Sequence, residues 1–279
     1  MPNESLQTQA ADPESQLRFE FGANWRRFLR QLNQERVAAA ELSLKEMLGC
    51  ENLHGKKFLD VGSGSGLFSL AARRLGARVL SFDYDSESVA CARELKRTFF
   101  PQDGEWRIEQ GSVLDQDYLR SLGQFEVVYS WGVLHHTGAM WEALGNVETL
   151  VKEGGTLFIA IYNDQGIMSD FWLFVKRSYN RLPPSLRFVI LWPMGAFFVS
   201  AMTLKDIFRL RRPRVFSRSS SPRAMSLWTD IIDWVGGYPF EVAAPAKIVG
   251  FYQQRGLRLD RLVDCGRKFG CNQYVFRKS

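Results

Sequence analysis

Three groups of residues in this 279-residue chain have the types and spacing to do chemistry. The first is Phe58-Leu-Asp-Val-Gly62-Ser-Gly64-Ser-Gly66, an apolar run that ends in alternating glycines. Glycine lets a backbone turn sharply and lets a ligand approach the chain closely, and a helix start behind such a turn offers unpaired N–H groups. Asp83, downstream, has a carboxylate suited to accepting hydrogen bonds from ribose hydroxyls. A dinucleotide fingerprint wants a glycine where Leu67 stands, and a phosphate loop wants a Gly-Lys-Ser/Thr ending that is absent. On the residues alone, a dinucleotide or another nucleoside remains open.

The second group is His135-His136. Histidine titrates near neutral pH, so either ring is a candidate catalytic base; the pair could equally well only shape a loop. With no cluster of acids or histidines around the pair, no metal is expected. The third group is Trp228–Glu241, where polar and aromatic residues crowd a Gly-Gly bend. Asp233, Trp234, Tyr238 and Glu241 are its candidate substrate contacts, because such density on a loop favours binding over core packing. Trp25, in the aromatic stretch Arg18–Trp25, is a further substrate candidate as part of a lid.

These groups need elements to hold them. Apolar positions repeat at helical spacing from Asn24 to Leu48, with Gly49 as a stop. Strands are expected at Lys57–Val61, Arg78–Phe82, Trp106–Glu109, Phe125–Ser130 and Thr156–Tyr162. Helices are expected at Leu67–Leu75, Ser86–Thr98 and Ala139–Val151, the last capped by Gly154-Gly155. That alternation argues an α/β fold, a doubly wound, Rossmann-like sheet with helices on both faces. The rhythm breaks after Tyr162 and resumes with a helix near Pro245–Arg255 and strands at Arg258–Val263 and Gln273–Phe276. Four parts are expected: an N-terminal helical cap (1–50), a cofactor-binding core (51–163), a helical insertion forming a substrate cap (164–243), and a C-terminal helix and strands that complete the core (244–279).

Composition removes other classes. Hydrophobic residues make up 46% and charged residues 24%, which excludes wholesale disorder. The four cysteines form no CxxC pair, which suits reduced thiols in a cytoplasmic protein, and the polar start is unlike a secretory signal. The net charge of +6 is concentrated: residues 176–223 hold eleven Lys or Arg and one acid, so the remainder is mildly acidic. A uniformly basic nucleic-acid binder does not read this way, and no nucleic acid is expected. Phe188–Leu204 is free of charge and marginal in length for a membrane span. It is expected either to lie on an anionic membrane surface, with the basic residues of 176–223 on the lipid, or to cap the pocket.

Leu59-Asp-Val-Gly-Ser-Gly-Ser-Gly66 with Asp83 resembles the first two motifs of class I S-adenosylmethionine-dependent methyltransferases. Val128–His136 resembles their fourth-strand motif, and Val151–Leu157 the entry to their fifth strand. The resemblance covers about residues 50–163 and implies a seven-stranded sheet closed by an antiparallel pair. It implies S-adenosylmethionine as cofactor, with Asp60 orienting the loop near the cofactor amino group and Gly62 and Gly64 beneath it. Asp83 would hold the ribose diol, Tyr84 would lie beside the adenine, and Trp131 near the amino-acid end. Ser112 stands where the family often has an acid facing the adenine; Ser63, Gly66, Val113 and Ser130 complete the implied set. The implied activity is methyl transfer to a small or lipid-linked acceptor, at oxygen if a histidine is the base. A nitrogen or carbon acceptor in a natural product or sugar, and a cofactor-binding partner subunit without turnover, are the alternatives. No Asp/Asn-Pro-Pro-Tyr-like motif follows the fourth strand, against a nucleic-acid substrate.

Overall fold

A computed structural model describes residue 19 and residues 32–208, 227–266 and 270–279. Seven strands form one sheet in the order β3-β2-β1-β4-β5-β7-β6. They are β1 (Lys57–Val61), β2 (Arg78–Asp83), β3 (Trp106–Gln110), β4 (Phe125–Trp131), β5 (Val151–Tyr162), β6 (Leu257–Val263) and β7 (Cys271–Lys278). The first five run parallel, and β7 enters antiparallel between β5 and β6. Continuous apolar runs such as Phe58-Leu59 and Leu157–Ile161 become strands covered on both faces, as a parallel sheet requires.

The flanking helices are α1 (Gln34–Leu48), α2 (Leu67–Arg74), α3 (Ser86–Phe99), α4 (Gln116–Leu122) and α5 (Met140–Thr149). Then follow α6 (Ile167–Arg181), α7 (Phe188–Phe208), α8 (Leu227–Gly236) and α9 (Pro245–Gln253). Val37, Ala40 and Leu44 of α1 pack with Leu70 of α2 on one face of the sheet, while Leu144 of α5 and Ile248 and Tyr252 of α9 pack on the other. A third cluster joins Tyr162 at the end of β5 to Trp172, Val175 and Tyr179 of α6 and Ile231 and Val235 of α8.

Several boundaries differ from the sequence reading, each for a local reason. The side chain of Asn33 accepts from the Arg36 amide at 3.0 Å and so begins α1, and Gly49, at φ 62°, ends it as expected; residues 24–31 of the expected helical stretch lie outside the described residues. Gly154-Gly155 do not cap a helix. They lie inside β5, and a Cβ on Gly155 would meet the Lys152 carbonyl oxygen at 2.7 Å. Helix α4 was not expected from its short polar sequence; Asp115 caps it by accepting from the Tyr118 amide. Trp228–Glu241 is not one loop, since α8 occupies Leu227–Gly236. Lys176 and Asn180 on α6 hold the end of α8: the Lys176 ammonium donates to the Trp234 carbonyl and Asn180 Nδ2 to the Gly236 carbonyl at 2.6 Å. A cation at a helix C-terminus meets the negative end of its dipole.

Candidate functional site

The sheet reverses its winding between β1 and β4, and in such folds ligands bind beyond the strand ends at that switch. The glycine loop sits there. The Gly62 and Ser63 amides both donate to the Phe82 carbonyl, at 2.9 and 3.1 Å, which folds the loop over the end of β2. Gly64 donates its amide to Asp83 Oδ2 at 2.9 Å, and Asp85 donates to Asp83 Oδ1 at 2.9 Å. Each carboxylate oxygen therefore spends one lone pair on the backbone and keeps acceptor capacity for a vicinal diol. Gly62 needs its lack of a side chain here: φ is 73° and a Cβ would lie 2.3 Å from Val133 Cγ1. That contact brings the loop after β4 directly onto the glycine loop.

Asp60 is buried below the loop and accepts from Ser69 Oγ at 2.5 Å. Burial pushes its carboxyl up to about 7, Ser69 opposes this, and the neighbouring charge of Asp83 adds to it. Asp83 is pushed up to about 6, again by burial, against the pull of the Asp85 and Gly64 amides. Two carboxyls so raised lie in a site that favours cationic or hydroxyl-donating ligand groups. Ser63 Oγ is buried and has no hydrogen-bond partner among the described residues, so the cradle keeps a polar atom for a ligand.

The remaining cofactor candidates divide. Tyr84 is 61% exposed beside Asp83, open to stacking by a base. Ser112 lies partly buried past β3, with its Oγ accepting from the Leu114 amide at 3.2 Å. Gly66 begins α2 in a left-handed conformation. Trp131 ends β4 with Nε1 donating to Gln273 Oε1 at 3.3 Å. Two candidates serve the scaffold through their side chains. Ser130 is wholly buried and donates to the Val61 carbonyl at 3.0 Å, tying β4 to β1, and the Val113 side chain belongs to the core.

The two histidines have different surroundings. His135 is 0% exposed, stacks on Tyr162 at 3.9 Å between centroids, and its Nδ1 accepts from the Tyr162 amide at 3.4 Å. It is sealed in the protein, where its ring supports the loop. His136 is only partly buried, and its Nδ1 lies 2.5 Å from the Pro239 carbonyl oxygen. A carbonyl only accepts, so Nδ1 carries the proton and Nε2 is the basic nitrogen.

The substrate-side candidates are also redistributed. Trp234 is part of α8, edge-on to Tyr162 at 5.5 Å and to Trp172 at 5.7 Å. Tyr238 accepts the Phe19 amide at its carbonyl, 3.0 Å away. The Glu241 carboxylate accepts from the Met140 amide at 3.0 and 3.2 Å, capping α5 from a distance, and burial pushes it above the usual carboxylate range. Asp233 lies on α8, and Trp25 lies outside the described residues. Sequence reasoning missed Tyr162, Phe240 and Pro239, which line or hold the histidine loop. Tyr162 could have been found from its place at the carboxyl end of a parallel strand, where ligands bind.

Residues 59–159 match the family model described as a methyltransferase domain. This segment is similar to methyltransferase domains. Its curated relatives include the ubiquinone biosynthesis O-methyltransferase of Acinetobacter baumannii (strain AYE), 32% identical over 164 residues, which are 58% of this chain and 60% of that one. The protein of the same name from Glaesserella parasuis serovar 5 (strain SH0165) is 29% identical over 111 residues, 40% of this chain and 47% of that one. The chain thus spans about half to 60% of these relatives. Among solved structures, magnesium protoporphyrin IX methyltransferase from Synechocystis PCC 6803 with bound SAM superposes with a TM-score of 0.56 at 12% identity, covering 97% of this chain and 99% of that one. Its complex with SAH gives 0.54 at 15% identity, covering 92% and 94%. At such identities the likeness concerns the fold, which this chain shares.

Proposed function

We propose that the chain is an S-adenosylmethionine-dependent methyltransferase that methylates an oxygen of a small or lipid-linked acceptor. The observation that carries the choice of oxygen is His136: its Nδ1 is fixed on the Pro239 carbonyl, and its loop touches the glycine loop through Val133 and Gly62. Bound in the cradle, S-adenosylmethionine would supply a methyl group already attached to a good leaving group. The residues that would hold it are Gly64, Asp83, Ser63 and Asp60, with Tyr84 beside the base. Asp83 would accept the ribose hydroxyls and Asp60 would hold the loop close to the amino group. His136 Nε2 would take the proton of the acceptor hydroxyl, and the hydrogen bond from Nδ1 to the Pro239 carbonyl would stabilise the resulting imidazolium.

The curated relatives are named as O-methyltransferases, which supports the same acceptor atom. In this reading residues 1–50 and 164–243 cover a cofactor core formed by 51–163 and 244–279. The buried aromatic cluster of Tyr162, Trp234 and Phe240, whose Tyr162 meets His136 edge-on, makes the surroundings of that histidine apolar, which suits an apolar or aromatic acceptor.

Incubating the protein with methyl-labelled S-adenosylmethionine and a cell extract tests the proposal. A labelled small molecule or lipid whose methyl group mass spectrometry places on oxygen, as an ether or ester, supports it. Cofactor binding with no labelled acceptor would point to a partner subunit without turnover, and label only in RNA would overturn the acceptor class.

A further inference from the structure

Helices α6 and α7 carry large apolar side chains on two opposite faces. The inner face of α6 buries Trp172, Val175 and Tyr179 against α8 and Tyr162. On the opposite side Ile167, Phe171 and Phe174 stand at i, i+4 and i+7 and form one stripe. Ile167 is 88% exposed and Phe174 69%. Helix α7 repeats the pattern: Leu191, Met194 and Phe198 pack inward, while Phe188, Val189 and Trp192 face out, Trp192 at 65%. Soluble proteins seldom expose this much contiguous apolar surface without a partner for it.

Charge decides which partner fits. Arg177 and Arg181 fall by helical spacing on the flank of the α6 stripe, together with Asp170, the helix's one acid. Arg187 opens α7 with its guanidinium over the Tyr179 ring at 5.3 Å. Residues 176–223 carry an excess of +10, so a second copy docked on this face would bring like charge against like charge. An anionic bilayer offers an apolar interior and a negative surface together. Among the described residues no helix is long and apolar enough to cross a membrane, which leaves docking in the interface plane.

We propose that α6 and α7 form a membrane-docking face for anionic lipid. Phe171, Phe174 and Trp192 reach the acyl boundary, and exposed basic residues of 176–223, Arg181 among them, stay at headgroup level. The face begins at Ile167, upstream of the basic segment. Its reverse side packs on the aromatic cluster next to His136, so docking brings lipid-linked acceptors close to that histidine. This last step rests on the methyl-transfer reading; the docking does not.

Co-sedimentation of the full chain with phosphatidylcholine vesicles, and with vesicles containing phosphatidylglycerol, at low and high salt, tests the proposal. Each basic residue held at such a surface is worth about five-fold in affinity, so the anionic vesicles should bind at least about ten-fold more tightly at low salt. The double variant Phe171→Glu, Phe174→Glu and the single variant Trp192→Glu alter exposed positions on different helices. Both should lose about ten-fold or more in vesicle binding, with S-adenosylhomocysteine affinity unchanged. No pelleting with either lipid, or pelleting unaffected by both variants, overturns the proposal. So does a dimer in sedimentation equilibrium that the double variant dissolves, since the face would then be covered by a second copy. Failure of the wild type to bind S-adenosylhomocysteine would strike the methyl-transfer reading and leave the docking result standing.

Discussion

His135 and His136 are adjacent in sequence and turn to opposite environments, and that difference makes a test. If His136 Nε2 accepts the substrate proton, His136→Ala should lower turnover by about 10²–10⁴-fold with little change in S-adenosylhomocysteine affinity. His135→Ala removes a buried ring from Tyr162, so it should lower thermal stability first. A turnover loss of only a few-fold in a folded His136→Ala variant would reject the base. Asp83→Ala removes a carboxylate that would accept two hydroxyls, and charged hydrogen bonds are worth about 1.5–3 kcal/mol, or roughly ten- to a hundred-fold in affinity. Calorimetry that finds unchanged affinity would reject the ribose assignment. Asp60, the glycines and Asp83 were legible because their positions follow from the chain's own strand–loop–helix order. Ser130 was not: only the sheet reveals that its hydroxyl is spent on the Val61 carbonyl.

At the level of elements, the segment after α8 does more than join α8 to α9. Pro239 holds His136, the Glu241 amide donates to the His135 carbonyl at 3.0 Å, and the Glu241 carboxylate caps α5. The N-cap residue of α5, Ala139, makes no side-chain cap, so Glu241 supplies from 101 residues away what Ser or Asp would supply locally. Glu241→Ala should therefore cost about 1 kcal/mol, roughly 2–4 °C in melting temperature, with Glu241→Gln losing less. If Glu241 instead touches the acceptor, the Ala variant raises KM with an unchanged melting temperature, and scanning fluorimetry beside kinetics separates the two. The seven strands were readable from apolar runs between turn residues. The role of Glu241 was not, because a cap made across the fold leaves no local signature. Gly154-Gly155 misled for a related reason: glycines after a helix usually end it, but here they fall where the β4–β5 register jumps from Phe125–Val151 to Val127–Thr156.

Taken as a whole, the molecule carries two carboxyls raised by burial under one ligand cradle, and this couples stability, cofactor binding and pH. Asp60 at about 7 and Asp83 at about 6 hold protons in the folded, cofactor-free chain that the unfolded chain releases near its ordinary value of 3.8. A folded pKa above the unfolded one gives stability that is complete below the unfolded value and is lost as pH rises through the folded one. These two groups should therefore make the cofactor-free protein less stable as pH climbs from about 4 to about 7. S-adenosylhomocysteine brings an ammonium and two ribose hydroxyls, all donors that favour the ionised carboxylates, and none of its own groups titrates in this interval. Its binding should strengthen with pH and release protons, so the rise in melting temperature it confers should be larger at pH 8 than at pH 5. Asp83→Asn removes the lower of the two titrations and should flatten the lower part of that trend. Scanning fluorimetry at four pH values, with calorimetry in two buffers of different ionisation enthalpy, measures both effects. A ligand-induced shift that stays constant from pH 5 to 8 in the wild type would mean that ionised Asp60 and Asp83 do not hold the cofactor, whatever their geometry.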